Sequence, residues 1–153
     1  MSNQRRISVG SYELEAGRCY DRETHLWIEQ QSDGRVRCGF DPLGAETSGD
    51  IVAVSFEPLG NMVERGGSFG SLEAAKFVGP LLTPVSGTLE AYNDDVLANP
   101  ALLNADPQGQ WMVEIAPDAL DRERALLLCD EDEIREWFLN ERKKLEQEGM
   151  LAT

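Results

Sequence analysis

The chain has 153 residues, 41% of them hydrophobic and 27% charged, which suits one globular domain able to bury about two-thirds of its unfolded surface without a metal or disulfide staple. A net charge of −14 sets it against the phosphates of nucleic acids and anionic membranes. No apolar run approaches membrane-spanning length, and the opening MSNQRRISVG lacks the apolar core of a secretory signal, so the expected location is the cytoplasm.

Cys19, Cys38 and Cys129 are odd in number, widely spaced and free of a Cys-x-x-Cys pair, and they read as reduced thiols. His25 is the sole histidine, which excludes histidine metal clusters and leaves one residue for any acid–base triad. Between Thr24 and Leu26-Trp27 it reads as a packed or hydrogen-bonded structural residue.

In chain order, residues 1–18 form a weakly patterned arm in which ISV and YEL are short candidate strands. LWIEQ (26–30) and RVRCGF (35–40) flank the turn Ser32-Asp33-Gly34 and predict a hairpin with one buried face. Residues 41–49 predict a loop or a short helical turn, and DIVAVSF a strand. Pro58, Gly60-Asn61 and Gly66-Gly67 then turn the chain every few residues, as in small barrels and sandwiches. TLEAY and WMVEI are further strands, separated by a long connection with Asn99-Pro100 and Asp106-Pro107 as turn signals. The segments before and after Lys76 echo each other as strand, long turn, strand, which suggests two similar halves. Beyond Pro117 the pattern becomes helical. Asp130 is the candidate cap, and Ile134, Trp137, Phe138 and Leu145 mark the apolar face of an amphipathic helix over about 132–147.

The centre of the chain, GSFGSLEAAKFVGPLLTPVSG (67–87), poses the functional question. LEAAK is made of helix formers, but Gly70, Gly79-Pro80 and the flanking apolar runs leave no room for a helix and predict a hairpin. Lys76 at its centre is the only lysine before Lys143. Three chemistries are open to it. It could be solvated decoration. A Schiff-base amine would need a pocket and acid–base partners, which this histidine-poor chain does not announce. The third is a modified lysine on a rigid turn, whose long arm gives each docked client enzyme a high effective concentration of cargo.

The stretch carrying Glu73, Lys76, Pro84, Val85, Ser86 and Gly87 resembles the lipoyl-lysine segment of the glycine cleavage system H protein family, whose pattern runs Glu-Ser-Val-Lys-Ala and then Ser-Pro-Val-Ser-Gly. Tyr20, His25 and Trp27 are similar to the family's opening Y…HEW. Gly39, Gly49-Asp50-Ile51-Val52 and Val54 resemble its VGIT…LGDIVFV, and Asn104, Asp106-Pro107, Gly109 and Trp111 resemble N-x-DP-x-G-x-GW. The resemblance spans about Tyr20 to Pro117. It implies an all-β lipoyl/biotinyl-type barrel-sandwich hybrid with Lys76 on a β-hairpin, to which the C-terminal amphipathic helix is added. The implied organisation is an N-terminal arm over 1–19, a lipoyl-binding domain over 20–117 and a helical extension over 118–153.

The same resemblance implies a non-catalytic carrier with lipoate in amide linkage to Lys76. Biotin carriers set their lysine between methionines, whereas here its neighbours are Ala75 and Phe77. Glu73 is expected to shape the hairpin or guide the ligase, and Phe77, Val78 and Leu26 to shelter the cofactor. The implied partners are a lipoate-protein ligase or lipoyl synthesis enzymes, dihydrolipoamide dehydrogenase and client enzymes, with the carrier itself a monomer. Three positions depart from the family pattern: Leu26 replaces the acid of HEW, Thr47 a histidine or similar polar residue, and Gly79-Pro80 the Ser-Asp after the lysine. The replacement surface, with Leu26, Phe77, Val78, Pro80 and Leu81, is more apolar and disfavours an unpaired ammonium. The main expectation is therefore a carrier of sulfur intermediates serving a heterodisulfide-reductase-like complex, with aminomethyl transport in glycine cleavage as the alternative and an unmodified interaction module as a further one.

Overall fold

A computed structural model describes residues 5–151. The strands are β1 (Arg6–Val9), β2 (Tyr12–Glu15), β3 (Cys19–Tyr20), β4 (Leu26–Gln30), β5 (Val36–Phe40), β6 (Ile51–Phe56), β7 (Met62–Val63), β8 (Ser68–Ala74), β9 (Val78–Leu82), β10 (Gly87–Tyr92) and β11 (Val113–Pro117). The helices are α1 (Pro42–Ser48), α2 (Asp94–Ala98), α3 (Leu102–Ala105), α4 (Leu120–Arg124) and α5 (Glu131–Gln147). A six-stranded sheet in the order β3-β4-β5-β11-β10-β7 shares one apolar core with a three-stranded sheet, β6-β8-β9, and β1-β2 forms a separate hairpin. This is the expected barrel-sandwich hybrid with a C-terminal helix.

LEAAK is not helical. Phe69, Leu72 and Ala74 of β8 are buried while Ser71 and Glu73 alternate to the outside, so the period of two outweighs local helix propensity. Gly70 sits in this strand where a Cβ would lie 2.2 Å from the Ser55 carbonyl oxygen, so only glycine lets β6 and β8 approach. The internal echo takes the form of two antiparallel pairs, β6 with β8 and β10 with β11, each carrying a register shift.

Elsewhere the structure amends the sequence reading. β4 has two buried faces, because Leu26 and Ile28 enter the main core while Trp27 belongs to a second one. That second core joins Ile7 and Leu14 of the arm to Ile134, Phe138 and Leu145 of α5, so the arm is a packed hairpin. The predicted long connection contains α2, capped by Asn93 accepting from Asp95 N–H, and α3. Asp41 likewise caps α1 by accepting from Gly44 N–H, and Asp130 caps α5 by accepting from Glu133 N–H.

The expectation of three reduced thiols is corrected. Cys19 and Cys129 form a disulfide across 110 residues of sequence, and only Cys38, buried in the core, is free. The reason is tertiary: Tyr20 and Leu128 exchange backbone hydrogen bonds of 2.8 and 2.9 Å, which sets their cysteine neighbours side by side.

Candidate functional site

Lys76 stands at the exposed tip of the β8–β9 hairpin, in the turn closed by Ala74 N–H donating to the Phe77 carbonyl at 2.8 Å. The tip is tied to the segment between α1 and β6. Lys76 N–H donates to the Ser48 carbonyl and Ala75 N–H to the Asp50 carbonyl, both at 2.9 Å. Gly49 lies beneath the lysine stem with φ of 76°, and a Cβ there would be 3.1 Å from Lys76 Cγ. Glycine is thus needed twice over, for the left-handed backbone and for the passage of the stem.

A cleft opens on each side of this tip. The first, of about 300 Å³, is largely apolar, with Leu26, Phe77, Pro80 and Leu81 in its wall and Thr47 beside them. Leu26, 2% exposed, is a core residue that forms the floor, while Phe77 is 43% exposed and free to cover a ligand. The structure therefore brings Leu26, Phe77, Thr47 and Pro80 together, but Val78, 74% exposed, is not among the residues that line this cleft. Glu73 pairs across the strands with Val78 and Ala53, outside the cleft as well. Sequence reasoning missed Glu23, an exposed carboxylate lining the same cleft, which places a negative charge near the position where Leu26 replaces the family acid.

The second cleft, of about 500 Å³, is the one that Lys76 itself lines. Tyr12, Glu46, Asp50 and Asn104 give it a polar wall. The Tyr12 hydroxyl donates to Glu46 Oε1 at 2.8 Å, and burial, then the bond to Glu46, push the phenol up to about 12. Asn104 accepts from Ile51 N–H at 2.8 Å through Oδ1 and donates to the Gly49 carbonyl at 2.9 Å through Nδ2, fixing the loop under the lysine. Tyr12 carried no signal in the sequence. Asn104 and Asp50 stood in matched motifs that did not reveal their common cleft.

His25 lies at the edge of the first cleft in a strained left-handed conformation, φ 61°. Its ring reaches Asp41 at 2.8 Å and Glu141 of α5 at 3.1 Å, and it packs on Trp137 with centroids 5.0 Å apart. It is hydrogen-bonded and packed, as its sequence context suggested. Among the described residues no group of three or more His, Cys, Asp or Glu is arranged to hold a metal, and no helix is long and apolar enough to cross a membrane.

Residues 18–141 match the model of the glycine cleavage H-protein family, which takes in the whole hairpin and both sheets. The chain belongs to that family. The glycine cleavage H-protein of Mycolicibacterium vanbaalenii is 38% identical over 104 residues, covering 67% of this chain and 79% of its own. A probable glycine cleavage system H protein of Natronomonas pharaonis is 40% identical over 124 residues, covering 80% of this chain and 96% of its own. The crystal structure of a glycine cleavage system H protein from Mycobacterium marinum superposes with a TM-score of 0.61 at 32% identity, covering 67% of this chain and 84% of that one. These relatives favour the glycine-carrier alternative over the sulfur carrier that the substituted cleft led the sequence reading to prefer.

Proposed function

We propose that this H-protein-family chain is a cytoplasmic lipoyl carrier whose Lys76 takes lipoate in amide linkage and whose cargo is the aminomethyl group released from glycine. The carrying observation is the position of Lys76: an exposed amine on a tip held by two backbone bonds, between two clefts able to receive an arm. Chemistry belongs to the client enzymes. This chain fixes the attachment point, and the dithiolane supplies thiol–disulfide exchange. Glu73, exposed three residues before the lysine, is available to a ligase. The chain acts as a monomer that meets lipoylating enzymes, dihydrolipoamide dehydrogenase and a glycine-decarboxylating client.

One observation supports a second reading. The first cleft presents Leu26, Phe77, Pro80 and Leu81 to the arm, a surface suited to a neutral or anionic sulfur species and a heterodisulfide-reductase-like client. The test runs in two steps. Expression with a lipoate ligase gives a lipoyl mass increment that disappears in Lys76→Arg; an increment that survives the substitution sinks the attachment site. Glycine-dependent loading by glycine decarboxylase then supports the aminomethyl cargo, and a fully lipoylated protein that does not load transfers the case to the sulfur reading.

A further inference from the structure

We propose that the Cys19–Cys129 bridge is a redox site, opened by small dithiols of the dihydrolipoyl class that attack Cys19 through an opening beside α4. The site uses no lipoyl group of this chain, so it stands apart from the attachment at Lys76. A domain of this size needs no covalent staple, and in the cytoplasm proposed above a disulfide is characteristically transient. The fold also holds without the bond. Tyr20 and Leu128 keep their paired backbone hydrogen bonds, Asp130 caps α5, and Ile134, Phe138 and Leu145 stay buried in the second core. The pairing is specific as well. Ile28 lies between Cys19 and Cys38 in the strand register, so about 10 Å separates those two backbones and Cys38 cannot take the place of Cys129.

The geometry gives the direction of attack. An opening of about 120 Å³ reaches the bridge from the side of Cys19, with Ile28, Val36 and Leu120 as its apolar wall and Gln30 and Arg124 beside them. Cys129 does not line it, and Cys19 is 6% exposed, so the reductant must be a slender chain rather than the active-site surface of a protein. An alkyl dithiol fits that description. One of its thiolates attacks Cys19 Sγ: a new S–S bond forms as the Cys19–Cys129 bond breaks, and Cys129 leaves with the electron pair and takes a proton. Its Sγ stands 3.7 Å from the Arg124 carbonyl oxygen, which accepts from Leu127 N–H and has a second lone pair for the new S–H. The second thiolate then attacks its own partner sulfur, which closes a cyclic disulfide and releases Cys19 to take the other proton. Two electrons pass from the dithiol to the cysteine pair, and the two protons are those that the dithiol gave up on ionising. Ring closure is intramolecular, which makes a dithiol a better reductant here than two monothiols.

The test uses full-length Lys76→Arg protein, so that no arm of the chain itself takes part. Dihydrolipoamide is added in the absence of oxygen, N-ethylmaleimide stops the exchange, and peptide masses locate the adducts. Two adducts are expected, on Cys19 and Cys129, with Cys38 unlabelled and backbone amide spectra still those of a folded protein. At equal dithiol concentration, dihydrolipoamide is expected to act about tenfold faster than a thioredoxin kept reduced by its reductase. 2-Mercaptoethanol, quenched early, is expected to leave its mixed disulfide on Cys19. Gln30→Trp, at an exposed position on the opening, is expected to slow dihydrolipoamide about fivefold while the oxidised protein melts as before. Faster opening by thioredoxin, first attack at Cys129, or an unchanged rate in Gln30→Trp would overturn the proposed route. Opening only at denaturant concentrations that unfold the chain would overturn the redox site and leave the bridge a staple. A wild-type protein that takes no lipoyl group on Lys76 would change none of these results, so the two readings fail separately.

Discussion

His25 donates from Nδ1 to the fully buried Asp41 Oδ2 at 2.8 Å and from Nε2 to Glu141 Oε1 at 3.1 Å, so one imidazolium joins the body of the fold to α5. Burial opposes the charge, but the Asp41 carboxylate and the hydrogen bonds to Asp41 and Glu141 prevail and hold the ring up to about 9. Because the folded value exceeds the ordinary 6.5, the stabilisation is fully present below about pH 6.5 and is lost as pH rises through about 9. At about 1.4 kcal/mol per unit, the loss is a few kcal/mol. Melting temperature is expected to fall between pH 6.5 and 9.5, and to fall much less in His25→Gln. Equal falls in both proteins would disprove the linkage.

Glu123 of α4 is 5% exposed and accepts from Ser86 twice, from the backbone N–H at 2.7 Å and from Oγ at 2.6 Å. Glu123→Ala leaves the Ser86 groups without this acceptor and is expected to cost about 1–3 kcal/mol in urea unfolding. Ser86→Ala, which keeps the backbone bond, is expected to cost less. The reverse order would show that the hydroxyl, which also accepts from Arg65 N–H at 2.9 Å, contributes more than the carboxylate.

The Cys19–Cys129 bridge closes a span of 110 residues, for which chain entropy sets an upper bound of about 4.7 kcal/mol at this loop size. Reductant is expected to lower the melting temperature of the wild-type protein and leave Cys19→Ser/Cys129→Ser unmoved. Alkylation in the folded, unreduced state is expected to label no cysteine, since Cys38 is fully buried and burial drives its thiol well above the usual range. Rapid labelling of Cys19 or Cys129 without reductant would contradict the bridge.

Phe77 covers the apolar cleft from a half-exposed position, whereas Leu81, 4% exposed, belongs to the core. In the lipoylated protein, Phe77→Ala is expected to change stability by less than about 1 kcal/mol while speeding dithiolane reduction by a water-soluble phosphine several-fold. Leu81→Ala is expected to cost roughly 2–5 kcal/mol. An unchanged reduction rate in Phe77→Ala would remove the sheltering role.

Much of the arrangement was legible in local pattern. The turn residues and the flanking β runs place LEAAK in a hairpin, because Leu72 and Ala74 must face one way and Glu73 the other whatever their helix propensity. The capped C-terminal helix came within one residue of its observed start, since Asp130 and the spacing of Ile134 and Phe138 are local signals.

Contacts between distant residues were not legible, because no spacing rule links residues a hundred positions apart. Cys19 and Cys129 lie far apart in the sequence, and only the Tyr20–Leu128 bridge makes them neighbours. Glu23 and Tyr12 carry no site signal in the sequence; β4 and the hairpin place the first at a cleft, and the arm beside α1 places the second. The sequence by itself determined the β framework, the helix at its end and the singular lysine on a turn, all set by periodicity, turn chemistry and composition. The tertiary structure alone decided that this lysine stands between an apolar cleft and a polar one, because each cleft is assembled from segments that the chain brings together only when its two cores close.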